Sequence, residues 1–128
     1  MEPITEQEEK ILKLELRLAQ LERIESCHGS FLDFVKAMWP EFITGKHHQI
    51  IAEKLERVAN GELKRLIINM PPRHTKSEFA SYLFPAWMIG KNPNMKIIQA
   101  THTTELAVGF GRKVKNLLER DDYMEVFP

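Results

Sequence analysis

A short segment rich in proline and basic side chains has the clearest chemical potential in this sequence. It reads Met-Pro-Pro-Arg-His-Thr-Lys-Ser over residues 70–77. Aligned with the phosphate-binding loop pattern G-x-x-x-x-G-K-[ST], it has Lys76 and Ser77 at the expected places, whereas Met70 and Thr75 stand at the two glycine positions. The strict pattern therefore fails, but the lysine and hydroxyl that bind phosphate and magnesium are present.

The chemistry expected of this segment is the binding of ATP together with Mg²⁺. Lys76 would place its ammonium group on the β and γ phosphates, and the Ser77 hydroxyl would join the coordination shell of the metal. Arg73 adds a cation that can contact phosphate oxygens in a bidentate manner, and unpaired N–H groups at the start of a helix attract the same anion. Alternatively, Lys76 and Ser77 merely begin a helix after a proline turn. The candidate ATP-binding residues of the segment are Pro72, Arg73, His74, Thr75, Lys76 and Ser77.

The elements that would position this segment are predicted from hydrophobic spacing. Residues 64–70 form a short aliphatic run that stops at two prolines, as a buried strand does. Residues 76–89 are apolar almost all round, which indicates a helix buried against a sheet, and residues 95–101 give a second strand. Thr103 or Thr104 caps a last helix that runs toward Arg120. Because strand, helix, strand, helix is the βαβ pattern of a parallel sheet, we expect an α/β fold with a partial P-loop NTPase core.

Helices are predicted ahead of this core. Thr5 and Glu8 form a capping box for a long amphipathic helix that extends to about Glu25. Its apolar face could bind a partner helix or dimerise, and packing onto its own domain is the alternative. Ser30 caps a short second helix, and a third helix runs from Lys46 to residues 60–61. We expect residues 1–28 to be an N-terminal amphipathic helix and residues 29–128 to be the front part of an ATPase domain. The apolar face comprises Ile11, Leu14, Leu18, Leu21 and Ile24.

Composition excludes several classes of protein. The 128 residues are 43% hydrophobic and include 18 basic and 18 acidic side chains, which fits a small globular unit without a global basic field. Cys27 is the single cysteine, so the chain can form neither an internal disulfide nor a thiolate zinc site. His47 and His48 point to different faces of a helix, and no metal site is expected there. No apolar stretch approaches the roughly 20 residues of a membrane span, so we expect no membrane partner.

The sequence resembles the N-terminal ATPase region of the large terminase subunits of tailed bacteriophages. The resemblance covers roughly residues 31–128 and depends on residues 45–49 and 65–78, where the family commonly has a proline-proline-arginine loop before glycine-lysine-serine. Thr75 stands where the family usually has glycine. By this resemblance Lys76 and Ser77 are the Walker A lysine and hydroxyl, and Arg73 is an arginine sensor or finger. Gln49 is similar to the glutamine that reads the adenine edge in such motors.

The resemblance implies a function in viral genome packaging. The parent protein would couple ATP hydrolysis to the translocation of double-stranded DNA into the prohead. Its partners would be the portal protein and the small terminase subunit, and it would assemble as a homo-oligomeric ring. It would be located in the host cell cytoplasm and, transiently, at the prohead portal. The sequence has no strand ending in the Walker B acid and no nuclease carboxylates. We therefore expect a front fragment of a longer polypeptide, which does not hydrolyse ATP alone.

Two other functions fit the same residues. A helicase-like or other translocating ATPase would share Gln49 and Lys76. In a non-catalytic interaction module, the leucine-rich first helix would bind a partner and residues 70–77 would be only a turn. Residues 99–102 could line the nucleotide site at the end of the second strand, or could simply cap the next helix. The basic side chains of Arg112, Lys113 and Lys115 could touch DNA phosphates or form a solvated helix face.

Overall fold

A computed structural model describes residues 2–71 and 78–128, and these two ranges are predominantly helical. None of their residues belongs to a β-strand. No helix within these ranges combines the length and the apolar character that a membrane crossing requires. The helices are α1 (Glu6–Gly29), α2 (Phe31–Met38), α3 (Lys46–Ala59), a π-helical turn (Glu78–Leu83), α4 (Phe84–Lys91), α5 (Thr104–Leu118) and α6 (Asp121–Val126).

The predicted α/β fold with a parallel βαβ unit is therefore wrong. Residues 65–71 and 95–101 form irregular chain instead of strands. A strand must pair its backbone N–H and C=O groups with a neighbour, and within the described ranges these two segments do not pair. Each is attached to the helices on one side only: Ile68 packs against the core, but Ile67 is 85% exposed and Ile98 is 94% exposed.

The local signals that predicted the N-terminal helices are confirmed. The Thr5 N–H donates to Glu8 Oε2 at 3.0 Å and the Glu8 N–H donates to Thr5 Oγ1 at 3.2 Å, which is the expected capping box. The Ser30 hydroxyl accepts from the Asp33 N–H at the start of α2. Gly61 follows α3 with a φ of 79°, in the left-handed region that glycine adopts without strain. Helix α1 continues past the predicted end at Glu25 to Gly29, and Cys27 in its last turn is buried against the rest of the protein.

The C-terminal helices differ from the prediction in one respect. The side chain of Thr103 accepts from the Leu106 N–H and caps α5, as expected. Beyond Arg120, where the predicted last helix ends, the acidic residues Asp121, Asp122 and Glu125 belong to a further short helix, α6. Tyr123 and Val126 of that helix are buried, and the Tyr123 hydroxyl donates to the Ala86 carbonyl at 2.7 Å. The Tyr123 hydrogen bond holds α6 against α4.

Helix α2 lies at the centre of the core. Phe31 is completely buried, and the edges of its ring meet Phe79 and Phe84 at centroid distances of 5.6 and 5.5 Å. Such edge-to-face contacts stabilise aromatic clusters beyond the gain from burial alone. Trp87 is also buried, and its indole N–H donates to the Cys27 carbonyl at 2.8 Å, which joins α4 to the end of α1.

Only the C-terminal end of α1 belongs to this core. Cys27 is the one buried residue of the helix, and its neighbour Ser26 hydrogen-bonds to Asp33 of α2. The His28 ring contacts the Val126 carbonyl and stacks on Phe127, which ties α1 to the end of α6. Most of the remaining length of α1 is exposed to solvent, including its leucines.

Candidate functional site

The six ATP-binding residues predicted between Pro72 and Ser77 lie outside the described residues. The structure describes the chain on both sides of them, up to Pro71 and again from Glu78. What it shows is therefore the chain next to these residues: a groove lined in part by residues that precede them in sequence, and a helical turn that follows them in sequence.

The groove lies between α3 and residues 66–70 and has a volume of about 360 Å³. Leu66 and Ile68 pack against the core and so fix this part of the chain beside α3. Burial alternates along residues 66–70, with Ile67 and Asn69 exposed between partly buried neighbours. Among the described lining residues, Met70 is the nearest in sequence to the cationic segment and stands two residues before Pro72. The lining residues are His47, Ile50, Ile51, Lys54, Leu66, Ile67, Ile68, Asn69 and Met70.

The structure does not bring Gln49 into this groove. Helix α3 buries Ala52 and Leu55 against the core, and the groove-lining residues at positions 47, 50, 51 and 54 share a different face. Gln49 is exposed and is not among the lining residues. Its predicted role in reading adenine remains a prediction, because its expected neighbours are outside the described residues.

His48 is buried among aromatic rings, which indicates a structural role. It is 6% exposed, and its ring lies 4.6 Å from the centroid of Phe42 and 5.1 Å from that of Phe79. Its Nδ1 accepts a hydrogen bond from the Gly45 N–H at 2.8 Å, which satisfies a backbone donor at the start of α3. Residues 2–71 and 78–128 contain no group of three His, Cys, Asp or Glu side chains placed to hold a metal ion.

The π-helical turn Glu78–Leu83 follows the cationic segment directly and is anchored by the buried side chains of Phe79 and Leu83. Gln99, one of the residues 99–102 that could line the nucleotide site, donates through Nε2 to the Ser81 carbonyl of this turn at 2.7 Å. Its Oε1 is buried and meets no donor within the part of the chain that the structure describes. Gln99 therefore secures residues 95–101 against the turn, beside a second groove of about 330 Å³.

A further hollow of about 400 Å³ lies between α1 and α2 and contains the single cysteine. Cys27 is 1% exposed, and its thiol donates to the Asp33 carbonyl at 3.7 Å. Burial raises the pKa of this thiol above its ordinary value, so the reactive thiolate is disfavoured. Cys27 is therefore an ordinary buried thiol.

The charged groups of the last two helices have separate roles. Arg112, Lys113 and Lys115 of α5 are exposed, and contact with DNA phosphates remains a prediction for them. Arg120 pairs with Asp122 and also donates to the Met38 carbonyl at 3.1 Å. That bond satisfies a carbonyl at the end of α2, so Arg120 joins the start of α6 to the core.

Comparison with known protein families, with curated proteins and with solved structures finds no match. The resemblance to large terminase subunits therefore rests on the sequence of residues 45–49 and 65–78.

Proposed function

We propose that this chain provides an ATP-binding part of a viral DNA-packaging motor of the large terminase kind. The observation that carries the proposal is the position of the groove between α3 and residues 66–70. Its described lining includes Met70, which stands two residues before a segment that contains two cations and a hydroxyl, Arg73, Lys76 and Ser77.

The groove and the segment have complementary chemistry. A mostly apolar groove with a few polar groups, here including Lys54, suits a purine base. Lys76 and Arg73 then bind the triphosphate, and the Ser77 hydroxyl binds the Mg²⁺ that accompanies it. A chain advances at most about 3.5 Å per residue, which keeps Lys76 within about 20 Å of Met70. This arrangement uses the residues of the segment and the groove, and it does not depend on the parallel sheet that the sequence wrongly predicted.

The wider role in the proposal comes from the resemblance. The parent protein couples ATP hydrolysis to the translocation of double-stranded DNA into the prohead. The portal protein and the small terminase subunit are its partners, and a ring of identical subunits in the host cytoplasm is its working form. Because the sequence offers no Walker B acid, the proposal assigns nucleotide binding, and not hydrolysis, to these 128 residues.

Titration with a fluorescent ATP analogue and Mg²⁺ tests the phosphate contacts. Lys76→Ala and Arg73→Ala should each weaken binding by roughly tenfold or more, because each removes a charge-assisted hydrogen bond to phosphate. Lys13→Ala removes an exposed lysine from α1 and is the matched control, which should bind as the unmodified protein does. Circular dichroism verifies that every variant is folded. An unmodified protein that is folded but binds no nucleotide, or equal affinity for Lys76→Ala, would overturn the proposal.

A second pair of variants tests where the base lies. Ile50 is 53% exposed and lines the groove, whereas Ile43 is 86% exposed and does not. Ile50→Ser should weaken binding severalfold by removing apolar contact with the base, and Ile43→Ser should not. If Gln49→Ala weakens binding and Ile50→Ser does not, the base lies on the Gln49 face of α3 and the groove is not its site.

The structure also favours a second function, that of an interaction module. The observation is the exposed apolar surface of α1, which the core of the protein leaves uncovered. Binding through α1 and nucleotide binding beside α3 use different residues, so the two functions are compatible.

A further inference from the structure

The free part of α1 exposes an unusual amount of apolar side chain. Leu14 is 70% exposed, Leu18 is 58% exposed and Ile11 is 56% exposed, although large aliphatic side chains are usually buried. A helix gains most of its stability from burying its apolar face. Sequence alone left open whether this face packs on its own domain, and the structure shows that it does not.

The exposed residues follow a heptad repeat. Ile11 and Leu18 are seven residues apart, and so are Leu14 and Leu21, which places the first pair at position a and the second at position d of a coiled coil. Ile11 at a with leucine at d follows the pattern that favours two parallel strands, whereas the second a position carries Leu18, which is not β-branched. Gln7 occupies the preceding d position. We call these five residues the seam.

Charged residues flank the seam with opposite signs on its two sides. Position g carries Lys10 and Arg17, whereas position e carries Glu15 and Glu22, with Glu8 one heptad earlier. In a parallel pair of helices in register, a g residue meets the e residue five positions later in the other helix. Lys10 would thus meet Glu15, and Arg17 would meet Glu22, in both directions. In an antiparallel pair, g meets g and e meets e, so like charges would face each other.

We propose that α1 pairs with α1 of a second copy of this chain as a parallel, in-register, two-stranded coiled coil. The seam provides the apolar contact, and the g and e charges select the partner and its direction. The core formed by α2 to α6 remains as in the single chain, because only the end of α1 packs on it. This interface is independent of the nucleotide site.

Sedimentation equilibrium across concentrations up to about 500 μM tests the seam, since fewer than three heptads bury a small interface. The unmodified protein should dimerise, and Leu14→Ala with Leu21→Ala should raise the dissociation constant about 100-fold or more by removing four buried leucines from the dimer. The matched control is Leu12→Ala with Leu16→Ala, because these leucines are 49% and 63% exposed but lie off the seam. A monomer at every concentration, or equal effects of the two pairs, would overturn the proposal.

Charge reversal tests the choice of partner. Lys10→Glu with Arg17→Glu makes both flanks of the seam acidic, and Glu15→Lys with Glu22→Lys makes both basic. In each double variant the dissociation constant of the dimer should rise by about tenfold or more at low salt, because like charges then face each other. An equimolar mixture of the two should restore it, since every g residue again meets an opposite charge. Failure of the mixture to associate more strongly than either variant alone would contradict the predicted pairing.

A disulfide tests the direction of the two helices. In a parallel pair in register, residue 7 of one copy lies beside residue 7 of the other, whereas an antiparallel pair separates them by most of the helix. Gln7→Cys should therefore form a disulfide-linked dimer on mild oxidation. The native Cys27 is buried, so the unmodified protein is the control and should remain uncrosslinked. A dimer in which Gln7→Cys does not crosslink would exclude the parallel arrangement.

Discussion

Tyr123 shows how a single residue holds the end of the chain in place. Its side chain is 4% exposed, and its hydroxyl donates to the Ala86 carbonyl at 2.7 Å. Burial raises the pKa of this hydroxyl from its ordinary value of 10.0 to about 12. The neutral phenol stabilises the contact between α6 and α4, and the charged phenolate would not, because burial penalises its charge.

The raised pKa of Tyr123 gives a pH dependence of stability with a definite sign. Because the pKa is higher in the folded state, the contribution is fully present below pH 10 and is lost as the pH rises from 10 toward about 12. Urea unfolding from pH 8 to 11 measures it. Tyr123→Phe should be less stable than the unmodified protein at pH 8, and the difference should shrink above pH 10. A Tyr123→Phe difference that is constant with pH would contradict the prediction.

The sequence predicted the roles of residues that interact with near neighbours along the chain. It did not predict the roles of residues whose partners are distant in sequence. Thr5, Ser30 and Thr103 cap helices through neighbours three residues away, so the local sequence predicted the first two and narrowed the third to Thr103 or Thr104. The Phe31 N–H bonds to Glu56 Oε1, and Trp87 bonds to the Cys27 carbonyl 60 residues away, and no local pattern indicates either contact.

The candidate site also depends on contacts between segments distant in sequence, which no local pattern indicates. The sequence singled out Gln49 and residues 72–77, but the groove depends on how residues 66–70 fold back against α3. That fold places positions 47, 50, 51 and 54 along the groove and leaves Gln49 outside its lining. A helical pattern predicts which residues share a face, but it does not predict which other segment covers that face.

At the scale of elements, α4 and the end of α6 approach closely at Gly90. A Cβ atom added there would lie 2.5 Å from the Phe127 ring, whereas one added at Gly109 of α5 would meet nothing within 4 Å. Phe127 is held by contacts with His28 and Tyr123, so its ring cannot move without disturbing both. We therefore expect Gly90 to be required for the packing of α6.

Alanine substitution at the two glycines measures this requirement. Gly90→Ala should lower the free energy of unfolding by about 1–3 kcal/mol, because it forces an overpacked contact. Gly109→Ala, in the middle of a helix with open space around it, should raise the free energy of unfolding by up to about 1 kcal/mol through helix propensity. Chemical denaturation of both variants gives the comparison, and equal effects would show that Phe127 does not restrict Gly90.

The described residues lack the predicted sheet, which shows what hydrophobic periodicity can and cannot predict about an element. Alternation along residues 66–70 is real, because Leu66 and Ile68 are turned toward the core and Ile67 is exposed. The aliphatic pattern predicted a buried strand over residues 64–70, and it is wrong about Ile67, which is 85% exposed. It could not predict whether a second segment supplies paired hydrogen bonds, since that partner is distant in sequence.

At the scale of the whole molecule, the described chain consists of a helical core and a projecting helix. The core is built around α2, and the interactions of α1 with it come from residues near its C-terminal end, such as Ser26 and His28. Opening of the free part of α1 therefore exposes little buried surface. Opening of α2 exposes the buried rings of Phe31 and Phe34 and requires unfolding of the core.

Amide hydrogen exchange should therefore separate the two parts and reveal the association of α1. In a single copy, amides of residues 10–20 should exchange rapidly, because a helix without tertiary contacts is marginally stable. Their exchange should slow as protein concentration rises, since pairing of two α1 helices must be undone before they open. Amides of α2 should exchange slowly at every concentration and serve as the internal reference. Leu14→Ala with Leu21→Ala should remove the concentration dependence in α1 alone, and a dependence that survives this change would place the interface elsewhere on the molecule.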